Sequence, residues 1–144
     1  MTANPDSARA LRGSCLCGTI TYEIAPPFPK FAHCHCARCR KSTGAAHASN
    51  IYVAPSQLSW SSGGDSIARF DLASAQSFGK WFCKHCGSPV PRVSRSGRTV
   101  VVPAGSLDDE PPVRPRGRIF CGSAVRWACH GDGLPRYEKY ADWW

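Results

Sequence analysis

Nine cysteines divide into three tight groups and two single residues along 144 positions, and this spacing limits the fold more than any other feature. A CxC pair (Cys15, Cys17) comes first, then a CxCxxC triplet (Cys34, Cys36, Cys39), then a CxxC pair (Cys83, Cys86), with Cys121 and Cys129 standing alone. Disulfide frameworks belong to oxidising compartments, and an odd total fits badly with complete pairing. Nothing in "MTANPDSARALRG" resembles a signal peptide, and no apolar run approaches membrane-spanning length. The expected setting is cytoplasmic, with no membrane partner, and metal binding is the better account of the cysteines.

A chain of this length makes one domain with a real core. The expected organisation is a flexible segment at 1–12, followed by a single zinc-binding domain at 13–144. Glycine and proline recur so often that no long amphipathic helix fits between them. Extended segments are easier to place. In "GTITYEI" the residues Ile20, Tyr22 and Ile24 share a face, as Ala68, Phe70 and Leu72 do in "SIARFDL". "SNIYVA", "KWFCKHC", "RTVVVPAGSL" and "RIFCGS" add further short β-type runs. The fold class expected is mainly β, two small sheets with a few short helical turns. "DDEPPVRPRG" reads as a floppy loop, and Trp81, Phe82, Trp127, Trp143 and Trp144 read as core or edge packing.

The cysteines carry the chemistry. A structural zinc needs four closed ligands, and the simplest construction joins Cys15 and Cys17 to Cys83 and Cys86. In "CKHCGSP" a tight turn brings two sulfurs to one metal, with Gly87 free to take a conformation that a β-carbon hinders. The triplet then stands alone, and three protein ligands plus one open position is how a reactive zinc is built. The alternative is that His33, His35 or His47 closes it, although His35, between two ligands of an extended CxC, should point away from their metal. Three thiolates make an electron-rich centre, a poor generator of hydroxide but well suited to an exogenous thiolate. Arg38, Arg40 and Lys41, beside the triplet, could hold that molecule's carboxylate.

The formal charge is +8. Two zinc ions on seven thiolates lower it to about +5. "PRVSRSGR" and "VRPRGR" read as solvated loop charge with no interleaved aromatics, so nucleic acid is an unlikely partner.

"GSCLCGTITYEI", "CHCARCRKSTGA", "WFCKHCGSPV" and "VVVPAGSLDD", in that order, resemble the glutathione-dependent formaldehyde-activating enzyme family. Its domain is shared with centromere protein V and has an Mss4-like fold, and the resemblance runs from Gly13 to Trp127. It implies small antiparallel β-sheets around two zinc ions per chain. Cys15, Cys17, Cys83 and Cys86 match the structural site, while Cys34, Cys36 and Cys39 match the catalytic one. It also implies carbon–sulfur lyase activity, the joining of glutathione and formaldehyde into S-hydroxymethylglutathione. Where members often read like "HIFVGSKAPW" this chain reads "RIFCGSAVRW", placing Arg118 and Ala124 at the histidine and lysine positions.

The function expected is therefore a zinc-dependent carbon–sulfur lyase acting on an adduct of glutathione, or a similar small thiol, with formaldehyde or a related aldehyde. His35, His47 and Asp108 are the candidates for proton transfer. A zinc-stabilised module for nucleic acid or a protein partner is the alternative, and metal handling a third reading. A homodimer is one option for the assembly. Cys121 is expected to be a buried small residue and Cys129 a bystander.

Overall fold

The computed structural model describes residues 9–128 and 133–143. Alternation of apolar and polar residues builds the first sheet. In β2 (Thr21–Ile24) the side chains of Tyr22 and Ile24 are buried, while Glu23 faces outward. This strand pairs antiparallel with β1 (Leu11–Ser14) on one side and β5 (Leu58–Ser62) on the other. Of the segment expected to be flexible, residues 1–8 lie outside the described residues, and Leu11 and Arg12 form the first half of β1.

The second sheet has the order β10–β3–β4–β9–β8. Its members are β3 (Lys30–Cys34), β4 (Ala48–Val53), β8 (Arg92–Val93), β9 (Val100–Pro103) and β10 (Gly117–Ile119). Val100, Val101 and Val102 of β9 are all buried, so this strand is covered on both faces. The β3–β10 pair is parallel, setting Ile119 opposite Cys34. The other pairs are antiparallel. A third sheet, β6 (Ile67–Asp71) with β7 (Gly79–Cys83), corrects the expectation of two. These strands pair with each other, Phe82 of β7 also bridges Pro89, and Phe70, on the face read as shared with Ala68 and Leu72, is exposed.

Leu11, Tyr22, Ile24, Phe28, Phe31, Ile51, Val53, Val100 and Val102 form the main core between the first two sheets. Tyr22 crosses directly over Gly13, where any β-carbon would overlap its ring. Gly13→Ala is expected to lower stability by about 1–3 kcal/mol through overpacking. A denaturant melt checks this, with an unchanged midpoint as the opposing result.

"DDEPPVRPRG" is pinned at both ends rather than floppy. Asp109 accepts the backbone N–H of Arg12 at 2.8 Å and its guanidinium at 3.0 and 3.2 Å, while Arg116 donates its N–H to the carbonyl of Phe31 at 2.8 Å. The Arg12 hydrogen bonds hold the Asp109 carboxyl at about 2, below its ordinary 3.8. A depressed acid stabilises the fold fully above the ordinary value and loses that contribution as the pH falls toward the lowered one. Asp109→Asn is therefore expected to flatten the stability profile between pH 4 and pH 2, approximately; acid melts of the two proteins compare it directly.

Trp81 stacks on Trp60 at 6.5 Å beneath the guanidinium of Arg69. Trp127 and Trp143, expected to pack, are instead exposed, and Trp144 lies outside the described residues.

Candidate metal centres

Two turns build the first centre. Cys15 N–H bonds the Ile20 carbonyl across the first turn, and Gly87 N–H bonds the Cys83 carbonyl across the second. Gly87 sits at φ 75°, the left-handed conformation anticipated for this turn. The sulfurs of Cys15, Cys17, Cys83 and Cys86 all lie within 4.8 Å of one another. Cys17 Sγ is 3.6 Å from Cys15 Sγ and 3.8 Å from Cys83 Sγ. A tetrahedral thiolate site with metal–sulfur bonds of about 2.3 Å has edges of about 3.8 Å, so the cluster fits such an ion.

The surroundings prepare these sulfurs to be acceptors. Ile20 N–H donates to Cys15 Sγ at 3.3 Å and His85 N–H to Cys83 Sγ at 3.4 Å. Ser88, through its hydroxyl and then its backbone N–H, brings the Cys86 thiol down to about 5, and Thr19 lowers Cys17 in the same manner. Burial pushes Cys83 the other way. Cys15, Ile20, Cys83 and Val90 form a small apolar cluster flanked by Trp60, Ile67 and Trp81, so Cys15 and Cys83 anchor this centre in the fold while Cys17 stands at the surface and Cys86 is half-buried.

The second centre lies where β3 meets α1 (Ala37–Thr43). Cys34 ends the strand, Cys36 caps the helix by accepting the N–H of Cys39 at 3.3 Å, and Cys39 lies one turn in. The three sulfurs again lie within 4.8 Å of one another, and no fourth ligand joins them among the described residues. Burial raises the Cys34 and Cys39 thiols, Cys39 strongly. Burial also acts upward on Cys36, but the N–H of Cys39 and the neighbouring thiols outweigh it, leaving Cys36 lowered. A cation would be needed to ionise all three together.

All three cysteines line a cleft of about 630 Å³. Arg38 lines it too and also borders an adjoining cleft of about 380 Å³ together with Lys41, while Arg40 lines neither. The structure therefore does not gather Arg38, Arg40 and Lys41 at one point. Reading the sequence alone missed Arg92 and Tyr52, which both line the larger cleft, as do Phe78, Ile119 and Phe120. Arg92 is half-buried in β8 with its guanidinium 5.1 Å from the Phe78 ring, and Arg95 donates to the carbonyls of Leu72 and Ala75. These two arginines of "PRVSRSGR" correct the expectation of solvated loop charge. Burial raises the Tyr52 phenol above its ordinary value, which keeps it protonated.

The three histidines group on their own. The His33 and His47 rings are tilted against each other with centroids 4.2 Å apart, those of His35 and His47 lie 5.0 Å apart, and Ser49 Oγ is 3.0 Å from His33 Nδ1. His35 is buried with its Nε2 3.4 Å from Arg118 and is not among the residues of the ligand group. Asp108 accepts from Ser14 Oγ at 2.8 Å and borders a different cleft, beside Cys15. None of His35, His47 and Asp108 lines the cleft at the triplet. Cys121 is exposed, contrary to expectation, and donates to the Arg118 carbonyl at 3.5 Å. Cys129 lies outside the described residues.

Residues 10–123 match the family model described as glutathione-dependent formaldehyde-activating enzyme. No curated protein matches the chain. Among solved structures, the crystal structure of a Rhodobacter sphaeroides protein is similar with a TM-score of 0.60 and 21% identity, covering 75% of this chain and 99% of that one. That likeness concerns the fold.

Proposed function

This chain belongs to the glutathione-dependent formaldehyde-activating enzyme family, and on that footing we propose that it is a zinc-dependent carbon–sulfur lyase. Its substrates are taken to be a small anionic thiol, glutathione first, and an aldehyde. Two zinc ions per chain are assigned, one closed in by Cys15, Cys17, Cys83 and Cys86, and one on Cys34, Cys36 and Cys39. The single observation that carries the reading is the contrast between the two clusters: four mutually close sulfurs, enough to close a tetrahedral site, against three that line a cleft with no fourth ligand beside them among the described residues. The eight described cysteines are free thiols, which suits a reducing, cytoplasmic setting. No helix among the described residues is long and apolar enough to cross a membrane.

A zinc held by the triplet supplies a position at which a thiol gives up its proton near neutral pH. The other tasks fall to the chain. Arg38 and Arg92 bind the carboxylates of the thiol and offset the negative charge that a fourth thiolate brings to three others. The carbon–sulfur bond forms as the carbonyl π bond opens, and the thiol's proton ends on the former carbonyl oxygen. Tyr52, kept protonated by burial, is the hydroxyl that donates a hydrogen bond to that oxygen.

Exchange NMR of glutathione, formaldehyde and their adduct at equilibrium tests the reading. Zinc-loaded protein is expected to speed interconversion, and no acceleration over buffer would contradict the assignment. Tyr52→Phe is expected to slow the exchange roughly a hundredfold while leaving glutathione affinity unchanged.

A further inference from the structure

The cleft is built for more than formaldehyde. Its volume is about 630 Å³, whereas one water occupies about 30 Å³ of liquid and formaldehyde has only two heavy atoms. Even with a tripeptide thiol in place, the apolar part of its wall has no counterpart in so small and polar an aldehyde.

That wall is specific in its construction. Parallel pairing of β10 with β3 sets Ile119 beside Cys34, and the next residue, Phe120, turns at φ 56° and ψ 40°. Phe120 is the one non-glycine with a positive φ among the described residues, and the residue as a whole is 65% exposed at the cleft. A bulky side chain held in this region is costly, and such residues gather at ligand sites. Ile119 is also exposed at 38%. Phe78 continues the apolar surface into the adjoining cleft, where Phe70 stands exposed. The charged groups come from other elements, Arg38 on α1 and Arg92 on β8, and no carboxylate lines the cleft among the described residues. An anion with a separate apolar group matches this arrangement.

We infer that the aldehyde used by this protein carries an apolar group of several carbons, so that the thiol adduct bears an apolar substituent beside its sulfur, seated against Phe120, Ile119 and Phe78. This rests on the reading of the cleft as a thiol-adduct site and specifies its second substrate. The reaction balances as before: the thiol adds across the carbonyl, one carbon–sulfur bond forms, the π bond breaks, and the thiol proton moves to oxygen. The apolar group takes no part in the electron movement.

Calorimetric titration of the two-zinc protein with S-methylglutathione and S-hexylglutathione, stable thioethers that cannot revert, separates the possibilities. The hexyl compound is expected to bind at least tenfold more tightly. Phe120→Ala is expected to remove most of that gain while leaving the affinity for S-methylglutathione within twofold. Phe120→Gly, which relieves the positive φ, is expected to do the same and guards against a folding defect. Equal affinities of the two compounds for the native protein, or an undiminished hexyl preference in both variants, would overturn the inference and leave the thiol-adduct reading intact. No binding of either compound would remove both.

Discussion

Cys83→Ser is expected to cost the protein one metal ion and its cooperative fold. Cys83 is fully buried at the end of β7, with its sulfur 3.8 Å from that of Cys17. The site it completes ties the turn between β1 and β2 to the turn after β7, where Leu16 N–H also donates to Ser88 Oγ at 2.9 Å. Zinc bound to four thiolates contributes apparent free energies of about 10–16 kcal/mol to small domains, comparable with the whole stability of about 5–15 kcal/mol typical of a domain. A serine there is a poorer ligand for a site built from thiolates and leaves the other three sulfurs without their fourth partner at the metal. Metal analysis with a circular dichroism melt reads both consequences. A sharp transition within a few degrees of the native one would show that the site does not hold the fold together.

Cys36→Ser has the opposite expected profile: metal content falls from two ions to one, glutathione-dependent exchange drops to background, and the melt stays cooperative. The fold survives because of where Cys36 sits. It caps the N-terminus of α1 by accepting the Cys39 N–H, and serine is among the best residues for that position. The cluster around it is small, Cys34, Cys39 and Ala48 with Phe78 at its edge, and it lies apart from the main core. Retention of both ions with unchanged exchange would sever the triplet from the chemistry.

How much of this was legible in the sequence depends on how local the signal is. Two ligands on one turn are separated by a residue or two, so Cys34, Cys36 and Cys39 announce themselves, as do the two halves of the four-cysteine site. Alternation in "GTITYEI" marked β2 for the same reason. The cleft is another matter. Tyr52, Arg92 and Phe120 arrive on β4, on β8 and after β10, placed by the register of one five-stranded sheet, and no short window encodes that register. Arg92 stands among other arginines in a segment rich in serine, where solvated charge is the natural reading, and only its packing beside Phe78 distinguishes it. Charge next to the triplet was legible only in part. On the helical turn Arg38 and Lys41, three residues apart, share a face and border one cleft, whereas Arg40 lines neither cleft, so adjacency in sequence became adjacency in space only in part. "DDEPPVRPRG" misled because proline and charge suggest a loop, while the partners that anchor it, Arg12 and Phe31, are far away in the chain.

The central claim is that the three-cysteine centre holds a metal ion with a position open to a thiol. Replacing zinc by cobalt and titrating with glutathione while following the sulfur-to-cobalt charge-transfer absorption tests it most directly. The account predicts two cobalt ions per chain, a spectral change at one of them that saturates at one glutathione per chain, and no such change in Cys36→Ser. A native spectrum indifferent to glutathione, or a response that persists at full size in Cys36→Ser, would contradict it.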